Sequence, residues 1–546
     1  MTFIIRQFRA APRDDGPFEI WLLNAAEDEV GVEFAAPPTP TEVRLVNEDD
    51  PSLVTVIRGV GLAFSGPQGE EAPSGGTINA FEFLRDGAPV LTASGASIPF
   101  TAFGAALDDL ADGDEGPLDA LVEAEPFDYS AAQSIDPVVF EGENFDDILV
   151  GSVFDDTLAG DDGNDRLEGG DGNDQLLGDD DFIELSDPFP DNDTLIGGAG
   201  NDFLWGGRGV DRYDGGDGFD YLDFIFRFNG IRGVRVDLPA GRVTDPFGNV
   251  EIVANIEEFD GTIADDVYVG DDGDNYFRGQ EGVDSYDGGG GYDVVGTDRN
   301  GATQGVVVDL GAGALIDEFG NTETLVSIEE VSGTILGDSF TGSDDNDFFE
   351  GRAGADSYDG GAGDFDQVSF DDDDSERGAF RGAVVDLAAG TGTDPFGNAE
   401  TFAGVEMLRG SPFGDSFTGG DERNTFRGLA GADTLDGGGG DGDEVRYDRD
   451  EREGGSGGVT VNLDQGFAID GFGATDTLLN IERAQGTRFD DVFVGDDNYN
   501  WFRGFAGADS YDGGAGGGFV QFGFQDEVRG AFVNLGAGVA DRKSVV

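Results

Sequence analysis

Between residues 142 and 223 the large apolar residues recur every nine positions, a spacing that fits neither a helix nor an alternating strand. From Gly142 the chain cuts without gaps into GENFDDILV, GSVFDDTLA, GDDGNDRLE and GGDGNDQLL. Each unit opens with Gly, carries Asp at its sixth position and places Leu at its eighth. The pairs are Asp147 and Leu149, Asp156 and Leu158, Asp165 and Leu167, Asp174 and Leu176. After the interruption GDDDFIELSDPFPDN, which begins at Gly178 and is followed by Asp193, the frame resumes. GGAGNDFLW, GGRGVDRYD and GGDGFDYLD then run from Gly197 to Asp223, with Asp202, Asp211 and Asp220 at position six. A nine-residue unit holds a glycine-rich turn and a very short strand with one inward side chain, so two units make one coil of about 18 residues.

A second period of roughly 72 to 77 residues is laid over the first. GVRVDL at Gly233, GVVVDL at Gly305, GAVVDL at Gly382, GVTVNL at Gly458 and GAFVNL at Gly530 open successive copies. In the first four, the next nonapeptide glycine (Gly261, Gly333, Gly410, Gly486) follows at an unchanging interval. Length varies only after the nonapeptides, as in FDDDDSERGAFRG from Phe370. Constant spacing within a module and slack outside it is what stacking requires. The lead-in alternates V-x-V-D-L, turns at a Gly-rich bend and ends in segments such as LVSIEEV, which read as half-buried strands. Position six of the module nonapeptides carries Asp266, Asn275, Asp284 and Asp293, then Asp338, Asp347 and Asp356, then Asp415, Asn424 and Asp433, and finally Asp491, Asn500 and Asp509. The opening units lack the second and third glycines, and the fourth units near Asp366 and Asp443 carry extra residues that are expected to fall out of register.

The chain therefore reads as all-β: a parallel β-roll or β-solenoid array behind a small, mainly β domain at residues 1–135. A first roll block covers 136–232, four tandem modules cover 233–304, 305–381, 382–457 and 458–529, and a fifth begins at 530. The N-terminal domain is poorer in Gly, with strand-like runs such as LVTVIRGVGLAF, and two weak helical patterns start at Ala102 and Pro117. The fifth copy stops early. The closing DRKSVV, Asp541 to Val546, holds the only Lys, Lys543, and reads as a sequencing artefact on a chain expected to continue.

Charge sharpens this picture. The 546 residues carry 115 Asp and Glu against 30 Lys and Arg, a net charge of −85. Such a polyanion repels nucleic acid and anionic membrane surfaces, which excludes both as direct partners. Disorder is a poor explanation, since 45 Phe and 38% hydrophobic residues supply a core. Adaptation to salt would scatter the acids, whereas these fall at fixed positions. With no Cys and no His, disulfides, thiolate chemistry, histidine-ligated zinc and His-based triads are excluded. The N-terminus, MTFIIRQFRAAPRDDG, does not read as a signal peptide, and no stretch approaches a membrane span.

In such a coil Asp165 lies above Asp147 and Asp174 above Asp156, one strand spacing of about 4.8 Å apart. Carboxylates so stacked repel one another unless a cation intervenes. Ca²⁺ suits an all-oxygen slot, accepting six to eight carboxylate and carbonyl ligands in flexible geometry, whereas Mg²⁺ resists losing its water. Units such as GGDGNDQLL and GGAGNDFLW resemble the repeats-in-toxin (RTX, haemolysin-type) calcium-binding repeats of secreted Gram-negative proteins, and the lead-ins resemble that family's tandem extended modules.

The resemblance implies a parallel β-roll whose ions sit between turns one coil apart. Carbonyls of positions two and four with one Asp would face carbonyls of positions one and three with the next. Carried over, Gly198, Gly200 and Asp202 would face Gly215, Asp217 and Asp220, while Ser152, Phe154 and Asp156 would face Gly169, Asp171 and Asp174. Asn275, Asn424 and Asn500 would weaken their sites by a charge. On the order of ten ions are expected, leaving most of the negative charge to solvent. Position-eight residues such as Phe277, Tyr286, Phe349 and Tyr358 are expected in the core, Trp205 and Trp501 at the surface, and Asp371 to Asp374 in a solvated loop.

The resemblance further implies type I secretion and folding outside the cell, where calcium is millimolar. No enzyme is expected: the sequence presents no nucleophile motif or paired acid–base signature outside the repeats. The reading is a calcium-binding exoprotein of adhesin, matrix or surface-layer type, with a cell-surface or polysaccharide target left open. The alternative is the export and stability portion of a secreted lipase, protease, toxin or polysaccharide-modifying enzyme.

Overall fold

The computed structural model describes strands Val32–Phe34, Glu42–Asn47, Leu53–Ser65, Ala72–Arg85 and Ala88–Pro99, then residues 128–521 apart from 133, 135–136, 143–144, 180–190, 225–231, 298–301, 372–377 and 517, and finally strands Phe532–Asn534 and Val539–Asp541. The helical patterns expected from Ala102 and Pro117 lie outside the described residues, as does most of the closing hexapeptide. The chain forms two compact units, 1–270 and 271–546.

In the first unit the early strands form an antiparallel meander in chain order. Strand Asp128–Ser130 pairs antiparallel with Ala88–Pro99 and, in parallel, with Ile148–Val150 of the first nonapeptide. The meander is thereby stitched into the edge of the roll. From there the chain alternates between two sheets in which the nonapeptide strands run parallel. One contains Ile148–Val150, Arg166–Asp171, Thr194–Ala199, Arg212–Asp217 and Val250–Ala254. The other contains Val139–Glu141, Thr157–Ala159, Gln175–Leu177, Phe203–Trp205, Tyr221–Asp223 and Glu258–Asp260.

Position eight sets the register. Leu149, Leu167, Leu195 and Tyr213 align along one sheet, and Leu158, Leu176, Leu204 and Leu222 along the other. All are buried, while their strand neighbours are mostly half-buried or exposed. With such short strands, one inward side chain per unit supplies the apolar core between the sheets. The interruption after Gly178 does not break this: Leu167 pairs with Leu195 on its far side, in frame.

The lead-in from Gly233, still in the first unit, adds Arg235–Asp237, antiparallel to Arg242–Thr244, which is in turn antiparallel to Val250–Ala254, and the second unit repeats the scheme. Its second sheet stays wholly parallel, for example Val294–Gly296, Glu330–Ser332, Phe348–Glu350, Gln367–Ser369 and Met407–Arg409. Its first sheet is mixed. Each lead-in folds as three antiparallel strands, as in Val307–Asp309, Ala314–Ile316 and Thr322–Val326. The third of these docks in parallel on the preceding coil (Ser285–Asp287), and the first docks in parallel on the following one (Ser339–Thr341). The unchanging interval from lead-in glycine to nonapeptide spans this insert, which continues the sheet instead of leaving it. The later lead-ins repeat the pairing.

Two expectations are corrected here. The fourth units at Asp366 and Asp443 stay in register: Phe349 pairs with Val368 and Phe426 with Val445, each across a coil one residue longer than usual. The extra residue is absorbed in the turn, because the core requires only that position eight return to the same place. Trp205 is buried, with 1% exposure, and pairs in register with Leu177, whereas Trp501 is half-buried with Arg483 over its ring. Phe277, Tyr286, Phe349 and Tyr358 are core residues as expected. Aromatic rings stack along the array, Phe340 on Tyr358 at 5.4 Å and Tyr358 on Phe402 at 5.2 Å.

Because Phe340 contacts both Phe349 and Tyr358, Phe340→Ala is expected to destabilise the folded chain by about 3–5 kcal/mol. Urea unfolding in saturating calcium measures this as a lowered midpoint; an unchanged midpoint contradicts the packing described.

Candidate metal centre

The turns between strands bring the position-six carboxylates into two buried columns. In the first unit, the backbone N–H of Asp147 donates to Oδ1 of Asp165 at 2.7 Å, that of Asp165 to Asp193 at 2.8 Å and that of Asp193 to Asp211 at 2.9 Å. In the second column Asp156 donates to Asp174, Asp174 to Asp202 and Asp202 to Asp220, all at 2.8 Å. The second unit repeats the contact between Asn275 and Asp293, Asp338 and Asp356, Asp347 and Asp366, Asp415 and Asp433, Asn424 and Asp443, and Asp491 and Asp509. Asp284 is buried likewise, beside Glu323.

One oxygen of each carboxylate is thus satisfied by a backbone donor. The other is often not. Oδ2 of Asp165, Asp174, Asp193, Asp202, Asp220, Asp293, Asp356, Asp366 and Asp433 is buried without a hydrogen-bond partner. An ionised carboxylate is acceptor-only, so an oxygen sealed from water and from donors carries a heavy desolvation cost. Burial, followed by the charge of neighbouring acids, pushes the pKa of Asp165 up to about 8 and that of Asp193 up to about 9. In Asp433 burial and then the charges of Asp415 and Asp476 raise it to about 10.

The glycines place carbonyl oxygens at the same spot. A β-carbon on Gly197 would collide with both the Gly215 carbonyl oxygen and Asp202 Oδ2. Gly198 and Gly200 hold φ of 122° and 135°, which L side chains rarely adopt, and Gly200 N–H donates to the Asp217 carbonyl at 2.8 Å. The structure therefore brings Gly198, Gly200 and Asp202 alongside Gly215, Asp217 and Asp220. It likewise sets Ser152 against Gly170, Phe154 against Gly172 and Asp156 against Asp174, with Gly169 and Asp171 on the same turn. Orphaned carboxylate oxygens facing backbone carbonyls form a donor set that fits a hard divalent cation. Among the described residues no three acidic side chains converge as a metal site by themselves, so such a set must draw on the carbonyls.

The opening units behave differently. There position two is Ser or Thr, and its backbone N–H and hydroxyl both donate to the position-six Asp. The pairs are Thr262 with Asp266, Thr334 with Asp338, Ser411 with Asp415 and Thr487 with Asp491, and two second units do the same with Ser152 on Asp156 and Ser343 on Asp347. A third donor reaches Asp156, Asp266, Asp338, Asp415 and Asp491 from Val138, Val234, Val306, Ala383 and Val459 respectively. In the four modules these carboxylates are saturated by protein donors and pin the lead-in to its coil. The hydroxyl at position two was the available sequence signal. In Asn275, Asn424 and Asn500 the amide oxygen accepts the N–H of position two instead, at 3.0, 2.7 and 2.9 Å.

The lead-ins add acids that the nonapeptide frame does not reveal. Glu251, Glu323, Glu400 and Asp476 stand at one common offset from the lead-in glycines Gly233, Gly305, Gly382 and Gly458, and are buried against the preceding coil. Asp356 N–H donates to Glu400 Oε2 at 3.1 Å and Asp433 N–H to Asp476 Oδ1 at 3.0 Å. Nearby, Asp245 closes the hairpin turn by accepting the N–H groups of Phe247, Gly248 and Asn249. Asp371, expected in solvent, is held by Arg409 at 2.7 Å; Asp372 to Asp374 lie outside the described residues.

A family model described as the RTX calcium-binding nonapeptide repeat (4 copies) matches residues 141–176, 189–222, 260–295, 332–364, 409–443 and 485–520. The protein carries RTX calcium-binding repeats. The matched segments coincide with the stacked turns, and from 189–222 onward the RTX stretches are separated by the lead-in hairpins. No curated protein matches the chain. Calcium, the ion that RTX repeats bind, would be held by the position-six carboxylates and turn carbonyls and would supply the positive charge that the columns lack.

The raised values set a pH dependence. A carboxylate whose folded-state pKa exceeds its unfolded value near 3.8 supports the metal-free coil fully below that value, and the support is lost as pH rises through about 6 to 9. The calcium-free protein is therefore expected to show more β signal by circular dichroism at pH 5 than at pH 9. Equal spectra would contradict the buried columns.

Proposed function

We propose that this protein is a calcium-folded exoprotein without catalytic activity, acting as an adhesin, matrix or surface-layer component. The observation that carries this reading is the pair of carboxylate columns with orphaned, buried Oδ2 atoms. The carboxylates of such columns repel one another when ionised, and the 94 glycines make the unfolded chain entropically favoured. At the sub-micromolar calcium of a cytosol the array stays unfolded; at extracellular, millimolar calcium the ions bridge successive turns and folding follows, so binding energy becomes folding energy. An unfolded chain suits passage through a type I secretion channel, the route typical of RTX proteins.

Two features support a structural role. The described repeats devote their acids to columns, turns and ion pairs with arginine, such as Arg427 with Asp448 and Arg423 with Glu444. Exposed turn acids such as Asp155, Asp272, Asp274 and Asp345 would keep neighbouring chains apart. Among the described residues no helix is long and apolar enough to cross a membrane.

Circular dichroism of the purified chain at pH 8 during a calcium titration tests the proposal. A cooperative rise of β signal, absent with magnesium at the same concentration, is expected. A full β signal already present in EGTA would overturn it.

A further inference from the structure

The four lead-ins share an arrangement that the nonapeptide pattern does not contain. In the second sheet, Leu222 pairs with Phe259, Val295 with Val331, Val368 with Leu408 and Val445 with Ala484. Counting back from these position-eight residues puts Glu257, Glu329, Glu406 and Glu482 at position six. They stand in the ladder as an Asp would. The backbone N–H of Asp220 donates to Glu257 Oε2 at 2.9 Å, Asp293 to Glu329 at 2.9 Å, Asp366 to Glu406 at 3.2 Å and Asp443 to Glu482 at 3.1 Å.

The turn leading to each Glu differs from a nonapeptide turn. Only two residues separate the strand Val250–Ala254 from Glu257, so no glycine loop is available to supply carbonyls. Instead the first of the two residues is left-handed: Asn255 at φ 52°, Ser327 at 50°, Gly404 at 56° and Asn480 at 50°. That conformation turns its carbonyl oxygen toward the preceding coil. A β-carbon on Gly215 would collide with both the Asn255 carbonyl and Asp220 Oδ2. The same paired collision recurs at Gly288 with Ser327 and Asp293, at Gly360 with Gly404 and Asp366, and at Gly437 with Asn480 and Asp443. Inside the array, Gly197 meets the Gly215 carbonyl and Asp202 Oδ2 in the same way. The left-handed residue thus replaces position one, and the extra methylene of Glu makes up for the shortened turn.

A second observation points to a ligand. Oδ2 of Asp220, Asp293 and Asp366 lacks any hydrogen-bond partner, and these residues are fully buried at 0% exposure. Each faces the relocated carbonyl. The four glutamates are themselves only half-buried, so a hydrated ion has a path from solvent.

We propose that each lead-in completes a calcium site of its own, in which the ion lies between the last Asp of a nonapeptide block and the lead-in Glu, with the left-handed residue's carbonyl as a further ligand. This rests on the calcium reading above and extends it: the hairpin inserts are ion-binding joints, and the ladder of sites runs into each lead-in instead of ending at the nonapeptides. All the donors are oxygens, two of them carboxylate, as Ca²⁺ prefers.

The test is calcium stoichiometry of the full chain by equilibrium dialysis and elemental analysis. The quadruple variant Glu257→Gln, Glu329→Gln, Glu406→Gln and Glu482→Gln is expected to bind four fewer ions than the wild type at calcium that just saturates the latter. An unchanged count overturns the proposal. Because the variant can fail to fold, a calcium-bound crystal structure of the wild type provides the second measurement. An anomalous peak touching Asp293 Oδ2 and the Glu329 carboxylate is expected, and filled nonapeptide turns with no peak there overturn the joint sites alone. A wild-type chain that binds no calcium overturns both readings together.

Discussion

Repulsion between carboxylates one coil apart is the constraint around which this chain is organised. Two unit charges separated by a strand spacing of about 4.8 Å interact with roughly 3 kcal/mol at an effective dielectric of 20. The columns multiply that term at every rung. The apolar core cannot relieve it, since one inward side chain per short strand sets the spacing and thereby the distance between charges. Backbone N–H groups orient one oxygen of each pair but neutralise nothing. A divalent cation or protonation remains, which is why pH and calcium act on the same atoms.

The chain uses two solutions for a position-six Asp. Within a block, glycine at positions one, two and four clears space and turns carbonyls inward, leaving an orphaned oxygen, as in Asp202 and Asp220. At the start of a block, Ser or Thr at position two closes the same space with two donors, as Thr334 does for Asp338. Four of the carboxylates anchored in this way, Asp266, Asp338, Asp415 and Asp491, fall where a hairpin joins a coil.

Much of this was legible in the residues. The nine-residue period gave the coil, the register and the core positions, because one apolar residue per unit leaves no ambiguity about what faces inward. The constant interval between Gly233 and Gly261, repeated from Gly305 to Gly333, exposed the lead-in as a rigid insert. Its antiparallel pairing was not legible, since alternation in VVVDL and LVSIEEV identifies strands but not their direction. Glu251 and Glu257 were hidden for a different reason. The motif looks for Asp after glycines, whereas the fold asks only for a carboxylate one residue before an inward-facing strand. The extra residues at Asp366 and Asp443 misled the count, because turns tolerate a length change that strands do not. Trp205 shows the limit of position-based reasoning: a flank residue is exposed only when nothing else packs over it.

The ladder also has a polarity. Along the columns, position-six amide hydrogens are received by a carboxylate later in the chain, as that of Asp156 is by Asp174. A coil joining on the N-terminal side finds its acceptor already in place; one joining on the C-terminal side must bring the acceptor with it. Growth of a stack toward the N-terminus is therefore templated, and a nucleus near its C-terminal end can propagate through it like a closing zip.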